Sequence, residues 1–352
     1  MEKITVSAGK GYDILIQHGL LDQVDKLIAK VKAPCAVMLV CDSTVAPLYA
    51  DRVADCLTAS GYAVARFVFS AGERSKTMTT LTALLEHMGE VGLTRSDLLV
   101  ALGGGVTGDL GGFAAAVYQR GIDYIQIPTT LLAAVDSSVG GKTAVDLSCG
   151  KNMAGCFWQP RLVICDCCVF DTLPDPIYAD GMSEVIKYGL AFDLPLLERL
   201  EQAAARDIPE EIVTRCCDWK RKVVEADERE LGERKFLNLG HTIGHAVELS
   251  SGFGISHGSA VSIGMSMICR AAERLGLCET GTGARIRALC EKQGLPTETD
   301  IPVQQLCQAA RSDKKRSGSS ITIVVPERPG AAVLRHITLE ELDRWIMVGV
   351  PG

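Results

Sequence analysis

The chain has 352 residues, 47% hydrophobic and 22% charged, which is the composition of a globular protein with room for two domains. Its net charge of −7 argues against a nucleic-acid surface, because binding to a phosphate backbone needs a basic face. No apolar run is long enough to span a bilayer, and the first residues lack the pattern of a signal peptide. The 14 cysteines are scattered, which fits a reducing compartment. We therefore expect a cytoplasmic protein that binds neither nucleic acid nor membrane.

The first half of the chain alternates short β-rich runs with helical stretches. The β-rich runs lie at 35–42, 63–70 and 97–105, with a helix between the first two and another from about Lys76 to Val91. This alternation is typical of a parallel sheet with helices packed on it.

A pair of prolines near residue 174 predicts a domain boundary there. Beyond it helical periodicity dominates from Tyr178 to about Ser312, followed by a hairpin within 320–337 and a short closing helix. We therefore predict an α/β plus α fold: a Rossmann-like parallel-sheet domain over 1–174 and a mainly helical domain over 175–352.

A glycine-rich turn follows the third of these strands. Gly103, Gly105 and Gly108 have the G-x-G-x-x-G spacing between a strand and a helix, where backbone N–H groups can hold a pyrophosphate. No acidic residue ends a strand about twenty residues later. Asp42, at the end of an earlier strand, is the substitute ribose acceptor; the alternative is a tight turn with Asp42 as a helix cap.

Two polar segments could complete a cofactor site. One loop after a strand carries Glu73 and Lys76, which could reach the ribose and phosphates. We interpret a longer segment, rich in glycine and other small residues, as a polar surface that contacts both cofactor and substrate; the alternative is a surface loop. Its polar residues are Thr129, Thr130, Asp136, Lys142, Lys151 and Asn152.

Histidines cluster in the helical half. His241 and His245 stand at i and i+4, on one face of a predicted helix, and His257 begins a second helix. The pattern is not H-E-x-x-H, which excludes a zincin protease. A catalytic zinc site can use two histidines and a glutamate, and Glu184 is the best carboxylate, with Lys187 at i+3 placed to contact an anion.

Other basic and polar side chains lie near these segments in sequence. Lys220, Arg234 and Asn238 precede the histidines, and we expect Arg234 and Asn238 close to the site. Lys314 and Lys315 lie in a turn that, taken alone, reads as solvent-exposed.

Taken together, the blocks GGGVTGD, YQRG, IPTTLLAAVDSSVGGKTAVD, GKN, GMSEVIKYG, DERELGERKFLNLGHTIGHAVE, HGSAVSIGM and DKK resemble the 3-dehydroquinate synthase family of the sugar-phosphate cyclases, in order from about Asp42 to Lys315. The resemblance implies an NAD-binding domain, a helical domain that binds zinc or cobalt, a site in the cleft between them and a homodimer. The implied substrate is a sugar phosphate, 3-deoxy-D-arabino-heptulosonate 7-phosphate, which is converted to 3-dehydroquinate and phosphate in the shikimate pathway.

The resemblance also implies roles for individual residues. The implied metal ligands are Glu184, His241 and His257. The implied catalytic residues are Asp136, Lys142, Lys187, Arg234, Asn238 and His245. Substrate binding is implied for Arg120, Asn152, Lys220 and one of Lys314 and Lys315. NAD binding is implied for Asp42, Glu73, Lys76, Gly104, Gly105, Val106, Asp109, Thr129, Thr130, Lys142, Lys151 and Thr172.

The implied mechanism is transient oxidation by NAD⁺, elimination of phosphate, re-reduction and an intramolecular aldol closure, with no net redox change. Asp136 and His245 are the candidates for proton transfer. This sequence departs from the family pattern in four places, which are Ala134, Asp146, the segment Asp175-Pro176-Ile177 and Ser259. The glutamate usual at the last position would support His257, and Ile177 should lose a cofactor contact.

Three other functions remain open from the sequence. A sister cyclase, such as a 2-deoxy-scyllo-inosose, valiolone or aminodehydroquinate synthase, would share most motifs. A polyol oxidoreductase resembling glycerol dehydrogenase would carry out net oxidation and release NADH. A catalytically inactive NAD-binding protein would keep the fold without the chemistry.

Overall fold

The computed structural model of the protein describes residues 1–311 and 319–351, and its backbone divides into two compact units. The first unit contains Met1–Leu173 and Val213–Arg229, and the second contains Pro174–Ile212 and Glu230–Gly352. The sequence-based boundary at residue 174 does not include this return of the chain to the first unit. No local pattern marks the return, because it occurs inside one continuous helix.

The first unit alternates strands and helices as the sequence predicts. Its elements are β1 (Glu2–Val6), β2 (Tyr12–Gln17), α1 (Val24–Ala29), β3 (Ala36–Asp42), α2 (Asp51–Ala59), β4 (Ala63–Phe69), α3 (Met78–Glu90), β5 (Leu98–Gly103), α4 (Gly105–Val117), β6 (Asp123–Pro128), β7 (Lys142–Leu147), β8 (Gly150–Phe157) and β9 (Leu162–Asp166).

Seven of these strands form one sheet in the order β1-β2-β9-β6-β5-β3-β4, parallel except for the β1–β2 pair. Strand β5 is buried at every position, as expected for an apolar strand inside a parallel sheet. The chain runs outward from β3 to β4 and then returns to place β5 on the other side of β3. The carboxyl ends of β3 and β5 therefore flank a topological switch point, where α/β sheets bind their ligands.

Strands β7 and β8 form a separate antiparallel hairpin, with Lys142 opposite Phe157. The sequence suggests only a polar segment here. Its alternation of polar and apolar residues is weak, and glycines interrupt it, so the strand periodicity is hard to read.

A buried carboxylate ties the end of β9 to the beginning of the chain. Asp166 is 1% exposed and accepts hydrogen bonds from the backbone N–H groups of Gly19, Leu21 and Cys168 at 2.8, 2.8 and 3.0 Å. We expect Asp166→Ala to lower the free energy of unfolding by about 3 kcal/mol, because it leaves buried donors without an acceptor. Urea unfolding followed by fluorescence measures this. Exposed Asp171 provides the matched control, and equal midpoints for the two alanine variants would contradict the prediction.

The second unit is mainly helical. Its elements are α5 (Asp175–Ala191), α6 (Leu194–Gln202), the first turn of α7 (Pro209–Ala226), α8 (His241–Ser250), α9 (His257–Arg274), α10 (Thr282–Lys292), α11 (Val303–Ala310), β10 (Ser320–Arg328), β11 (Ala331–Thr338) and α12 (Leu339–Gly349).

The core of the second unit joins α8, α9, α11 and α12 to the β10–β11 hairpin through buried residues such as Ile243, Ile263, Ile323 and Trp345. The predicted late hairpin and closing helix are confirmed, as is the fold class, a Rossmann-like parallel sheet followed by a mainly helical region. Among the described residues, none of the helices is both long and apolar enough to cross a membrane.

Candidate functional site

Helices α5, α8 and α9 approach one another closely because glycines stand where they meet. A Cβ atom on Gly264 of α9 would lie 2.1 Å from the backbone oxygen of Gly240, and one on Gly258 would lie 2.1 Å from the backbone oxygen of Asp180. Any larger residue at these positions would push the backbones apart. The two glycines of α9 therefore set it against the beginning of α8 and against α5.

This packing brings one carboxylate and two imidazoles together. The Nε2 atoms of His241 and His257 lie 3.5 and 3.3 Å from Oε1 of Glu184, and one ligand atom from each residue lies within 4.8 Å of the other two. Glu184 is fully buried, His241 is nearly so, and the His257 side chain is about one-third exposed. We call this set the Glu-His-His cluster.

The second nitrogen of each imidazole contacts an oxygen. His241 Nδ1 lies 3.1 Å from the backbone oxygen of Leu239, and His257 Nδ1 lies 3.4 Å from Oε2 of Glu248. Since an oxygen acceptor favours a proton on Nδ1, both rings present an unprotonated Nε2 toward Glu184 in their neutral form. That is the tautomer required for binding a metal through Nε2.

Two carboxylates, Glu184 of the cluster and Glu248 beside it, favour positive charge on their neighbours. Burial alone lowers the pKa of His257, but Glu184 and Glu248 outweigh it and raise that pKa to about 10. A second cation, Lys187, is 1% exposed and forms an ion pair with Oε2 of Glu184. Glu184 and Glu248 thus favour a positive charge at His257 and Lys187.

Further sequence-predicted residues lie around the cluster. Arg234 is 1% exposed, and the short helical segment Glu233–Asn238 that carries it packs against α5. The ring of His245 is centred 5.5 Å from that of His241 and 6.4 Å from that of His257. The positions of Arg234 and His245 therefore agree with the prediction that these residues lie close to the histidine site.

The structure adds two residues that the sequence interpretation missed. Glu248 contacts His257, and Glu230 accepts a hydrogen bond of 2.7 Å from Nδ2 of Asn238. Glu230 also has a positive φ of 60°, a conformation that is unusual for a non-glycine residue and recurs at functional sites. Glu248 could have been found from helical periodicity, since it lies seven residues after His241 on α8; nothing local distinguishes Glu230 in its charged run.

In the first unit, the glycine turn joins β5 to α4 at the switch point of the sheet. The N-cap Gly104 offers no side chain to the first N–H groups of α4, which leaves them for an anion. A Cβ atom on Gly104 would lie 3.2 Å from the methyl group of Thr130, and one on Gly105 would lie 3.2 Å from Oγ of Ser137. The turn thus keeps space that side chains would fill. Val106 lies in this first turn of α4.

The neighbouring strands end beside the turn. The backbone N–H of Thr129 donates to the oxygen of Gly103 at 3.0 Å, directly after β6. On the other side, Asp42 ends β3, and its Oδ1 accepts from the backbone N–H groups of Thr44 and Val45 at 2.8 and 3.0 Å. Oδ1 of Asp42 therefore stabilises the turn that follows β3, and Asp42 does not cap the helical segment that begins at Ala46.

Lys76 forms hydrogen bonds with two other residues of the predicted site, Asp109 and Asn152. It is 4% exposed and donates to Oδ2 of Asp109 and Oδ1 of Asn152, both at 2.5 Å. Burial lowers the pKa of Lys76, but Asp109 and Glu73 more than compensate, so its pKa is raised and the ammonium stays charged. Asn152 itself has a φ of 55° and donates its backbone N–H to Asp146 at 2.7 Å.

A second buried lysine pairs with a predicted proton-transfer residue. Lys220 is 5% exposed and donates to Oδ1 and to the backbone oxygen of Asp136, at 2.7 and 2.5 Å. Lys220 lies in the part of α7 that belongs to the first unit. This return of the chain is thus what brings the two residues together.

The structure does not gather every predicted residue. Arg120 is exposed beyond the end of α4, and the 13 residues of that helix separate it from the glycine turn by about 20 Å. Lys142 is exposed at the beginning of β7, and Thr172 hydrogen-bonds to the hydroxyl of Tyr49 at 2.6 Å. Lys151 is half-buried on β8. Lys314 and Lys315 lie outside the described residues.

The four departures from the family pattern have structural settings. The backbone N–H of Ser259 donates to Oδ1 of Asp180 at 3.1 Å, and its hydroxyl lies 2.8 Å from that of Ser256. Ile177 is 46% exposed, and Ala134 is fully buried. Asp146 holds the backbone of Asn152, as described above.

Two sequence profiles match this chain. The one described as 3-dehydroquinate synthase N-terminal covers residues 66–180, and the one described as 3-dehydroquinate synthase C-terminal covers residues 181–316. Proteins named 3-dehydroquinate synthase from Streptococcus gordonii and Clostridium acetobutylicum are 44% and 40% identical to it. The alignments cover 95% and 99% of this chain and 96% and 100% of those proteins.

Solved structures give the same architecture. A 2-deoxy-scyllo-inosose synthase complexed with carbaglucose-6-phosphate, NAD⁺ and Co²⁺ is 26% identical, with a TM-score of 0.88 over 98% of this chain and 99% of its own. The 2-epi-5-epi-valiolone synthase from Streptomyces hygroscopicus, with NAD⁺ and Zn²⁺ bound, is 25% identical, with a TM-score of 0.87 over 96% of each chain. A probable glycerol dehydrogenase from Sinorhizobium meliloti, 16% identical with a TM-score of 0.61 over 96% of each chain, shares the fold alone.

Proposed function

The chain belongs to the 3-dehydroquinate synthase family, and we propose that it converts 3-deoxy-D-arabino-heptulosonate 7-phosphate to 3-dehydroquinate and phosphate in the shikimate pathway. The observation that carries this proposal is the convergence of Glu184, His241 and His257 beside the buried cation Lys187. A carboxylate and two imidazoles suit a divalent metal, and a lysine next to them suits an anionic substrate.

The residues fit a zinc or cobalt ion. His₂Glu is a ligand set of catalytic zinc sites, and it leaves a position for substrate. Both imidazoles present Nε2 toward the buried carboxylate of Glu184, and both Nδ1 atoms face an oxygen. This arrangement favours Glu184, His241 and His257 as the ligands.

The first unit fits NAD. Its glycine turn keeps open the beginning of α4, where a pyrophosphate would meet backbone N–H groups and the positive end of the helix dipole. Asp42 lies across the switch point for a ribose, and Thr129 and Thr130 border the turn. The buried ammonium of Lys76, fixed by Asp109, supplies positive charge close to that helix.

When bound, the two groups supply reversible oxidation of the substrate and charge stabilisation at its oxygens. The chain itself binds, orients and exchanges protons. We assign Arg234 to the planar carboxylate of the substrate, because a guanidinium matches that shape, and lysines such as Lys142 and Lys220 to the phosphate.

Asp136 and His245 are the proposed proton carriers; the ammonium of Lys220 holds Asp136 in one orientation. Asn238, fixed by Glu230, and Asn152, fixed by Lys76, complete the proposed polar lining.

The similarities favour this substrate over those of sister cyclases. Proteins named 3-dehydroquinate synthase are 40–44% identical to this chain, whereas the inosose and valiolone synthases are 25–26% identical. The chain also keeps Lys187, Arg234, Asn238 and His245, a polar and cationic set suited to a carboxylate-bearing sugar phosphate.

We expect the purified protein to release phosphate from 3-deoxy-D-arabino-heptulosonate 7-phosphate without accumulating NADH, because the oxidation is reversed within each turnover. A chelator should stop the release, and zinc or cobalt should restore it. Glucose 6-phosphate serves as the parallel substrate. Net NADH formation without phosphate would contradict the proposal in favour of a polyol dehydrogenase, and release from glucose 6-phosphate alone would favour an inosose synthase.

We also propose that the protein is a cytoplasmic homodimer. The scattered free cysteines support a reducing compartment. The homodimer is the assembly that the family resemblance implies for this chain. Sedimentation equilibrium of the purified protein tests this assembly, and a monomer would overturn it.

A further inference from the structure

Glu248 occupies an unusual position for an acidic residue on a packed helix. It is 5% exposed, and its Oε2 lies 3.4 Å from Nδ1 of His257. The other ring nitrogen of His257 lies 3.3 Å from Glu184. The imidazole is therefore held between two carboxylates, one at each nitrogen.

The two histidines of the Glu-His-His cluster are supported differently. A backbone oxygen, that of Leu239, faces Nδ1 of His241, and no substitution of a side chain removes it. The oxygen that faces Nδ1 of His257 comes from a side chain. The orientation of His257 thus depends on the identity of residue 248.

Ser259 has no carboxylate with which to contact Nδ1 of His257. It stands two positions after His257, where the family pattern has a glutamate. Its hydroxyl lies 2.8 Å from that of Ser256, and its backbone N–H donates to Asp180, so both groups are engaged at the beginning of α9. The carboxylate that reaches the imidazole comes instead from α8.

We propose that Glu248 is a positioning residue for the metal site: it accepts a hydrogen bond from Nδ1–H of His257 and so holds Nε2 of that ring toward the place where Glu184 and His241 would bind a zinc or cobalt ion. This inference rests on the proposed function for the identity of the metal. The negative charge of Glu248 also makes the imidazole a better donor to a cation. Such outer carboxylates are worth about 10- to 100-fold in metal affinity.

The test compares the metal affinity of the full-length protein with that of Glu248→Ala and Glu248→Gln, using Zn²⁺ in competition with a chromogenic chelator. We expect roughly 10- to 100-fold weaker binding for Glu248→Ala and a smaller loss for Glu248→Gln, which keeps an acceptor but not the charge. The visible absorption spectrum of the Co²⁺-loaded variants should change as well. A merely structural role of Glu248 would not alter the ligand field.

Asp193→Asn is the matched control, because it changes another buried carboxylate of the second unit, one that caps α6. Ser259→Ala tests the neighbouring position. Both should bind Zn²⁺ like the parent protein, and NAD affinity should be the same in all variants. If Glu248→Ala does not fold, Glu248→Gln decides.

The outcomes separate this inference from the proposed function. If the parent protein binds no Zn²⁺ or Co²⁺, the proposed metal site itself is wrong, and the inference falls with it. If the parent protein binds the metal and both Glu248 variants bind it equally well with unchanged Co²⁺ spectra, only the positioning role is overturned.

Discussion

His257→Ala should leave the purified protein without stoichiometric zinc and nearly without activity. The substitution removes one of three ligand atoms that lie within 4.8 Å of one another, and it leaves the buried carboxylate of Glu184 with one imidazole partner in the Glu-His-His cluster instead of two. Charge stabilisation by a metal is worth several kcal/mol, and each 1.4 kcal/mol is a factor of ten in rate. We therefore expect phosphate release to fall about 1000-fold or more.

Metal content by mass spectrometry and phosphate release are measured on the same preparation. His336→Ala is the control, because it deletes an exposed imidazole from β11 of the same unit. It should keep both zinc and activity. Unchanged metal content in His257→Ala would remove this residue from the ligand set.

The sequence predicts those parts of the fold that depend on local periodicity. Strands β3, β4 and β5, the helices that begin at His241 and His257, and the late hairpin all lie where short-range patterns indicate. The return of Val213–Arg229 to the first unit depends on packing at long range. For that reason the proximity of Lys220 and Asp136 could not be derived from their separation of 84 residues.

The sequence predicts those parts of the candidate site whose residues lie on the same helix or in the same motif. Helical spacing relates His241 to His245 and Glu184 to Lys187, but it does not bring α5, α8 and α9 together. Contacts at Gly258 and Gly264 do so, and their role depends on which backbone lies opposite. Glu248 has a seven-residue helical relation to His241, yet its partner is on α9. Only the packed structure joins it to His257.

His245→Ala should keep its zinc and lose most of its turnover. The His245 ring is centred 5.5 Å from that of His241 and 6.4 Å from that of His257, close to the cluster but outside the three-residue set whose ligand atoms converge. A residue in that position can carry a proton to or from substrate held at the metal, which is worth about 100- to 10,000-fold in rate. We expect kcat for phosphate release to fall within that range.

The measurement pairs zinc content with kcat, and added imidazole should restore part of the rate if a missing proton carrier is the cause. His336→Ala again controls for the loss of an imidazole from the second unit. Loss of zinc from His245→Ala would mean that the roles of the histidines are exchanged, because a ligand and a proton carrier differ in this one readout. Comparing His245→Ala with His257→Ala therefore assigns a role to each imidazole. The variant that loses zinc lacks a metal ligand, and the variant that keeps zinc but turns over slowly lacks a proton carrier.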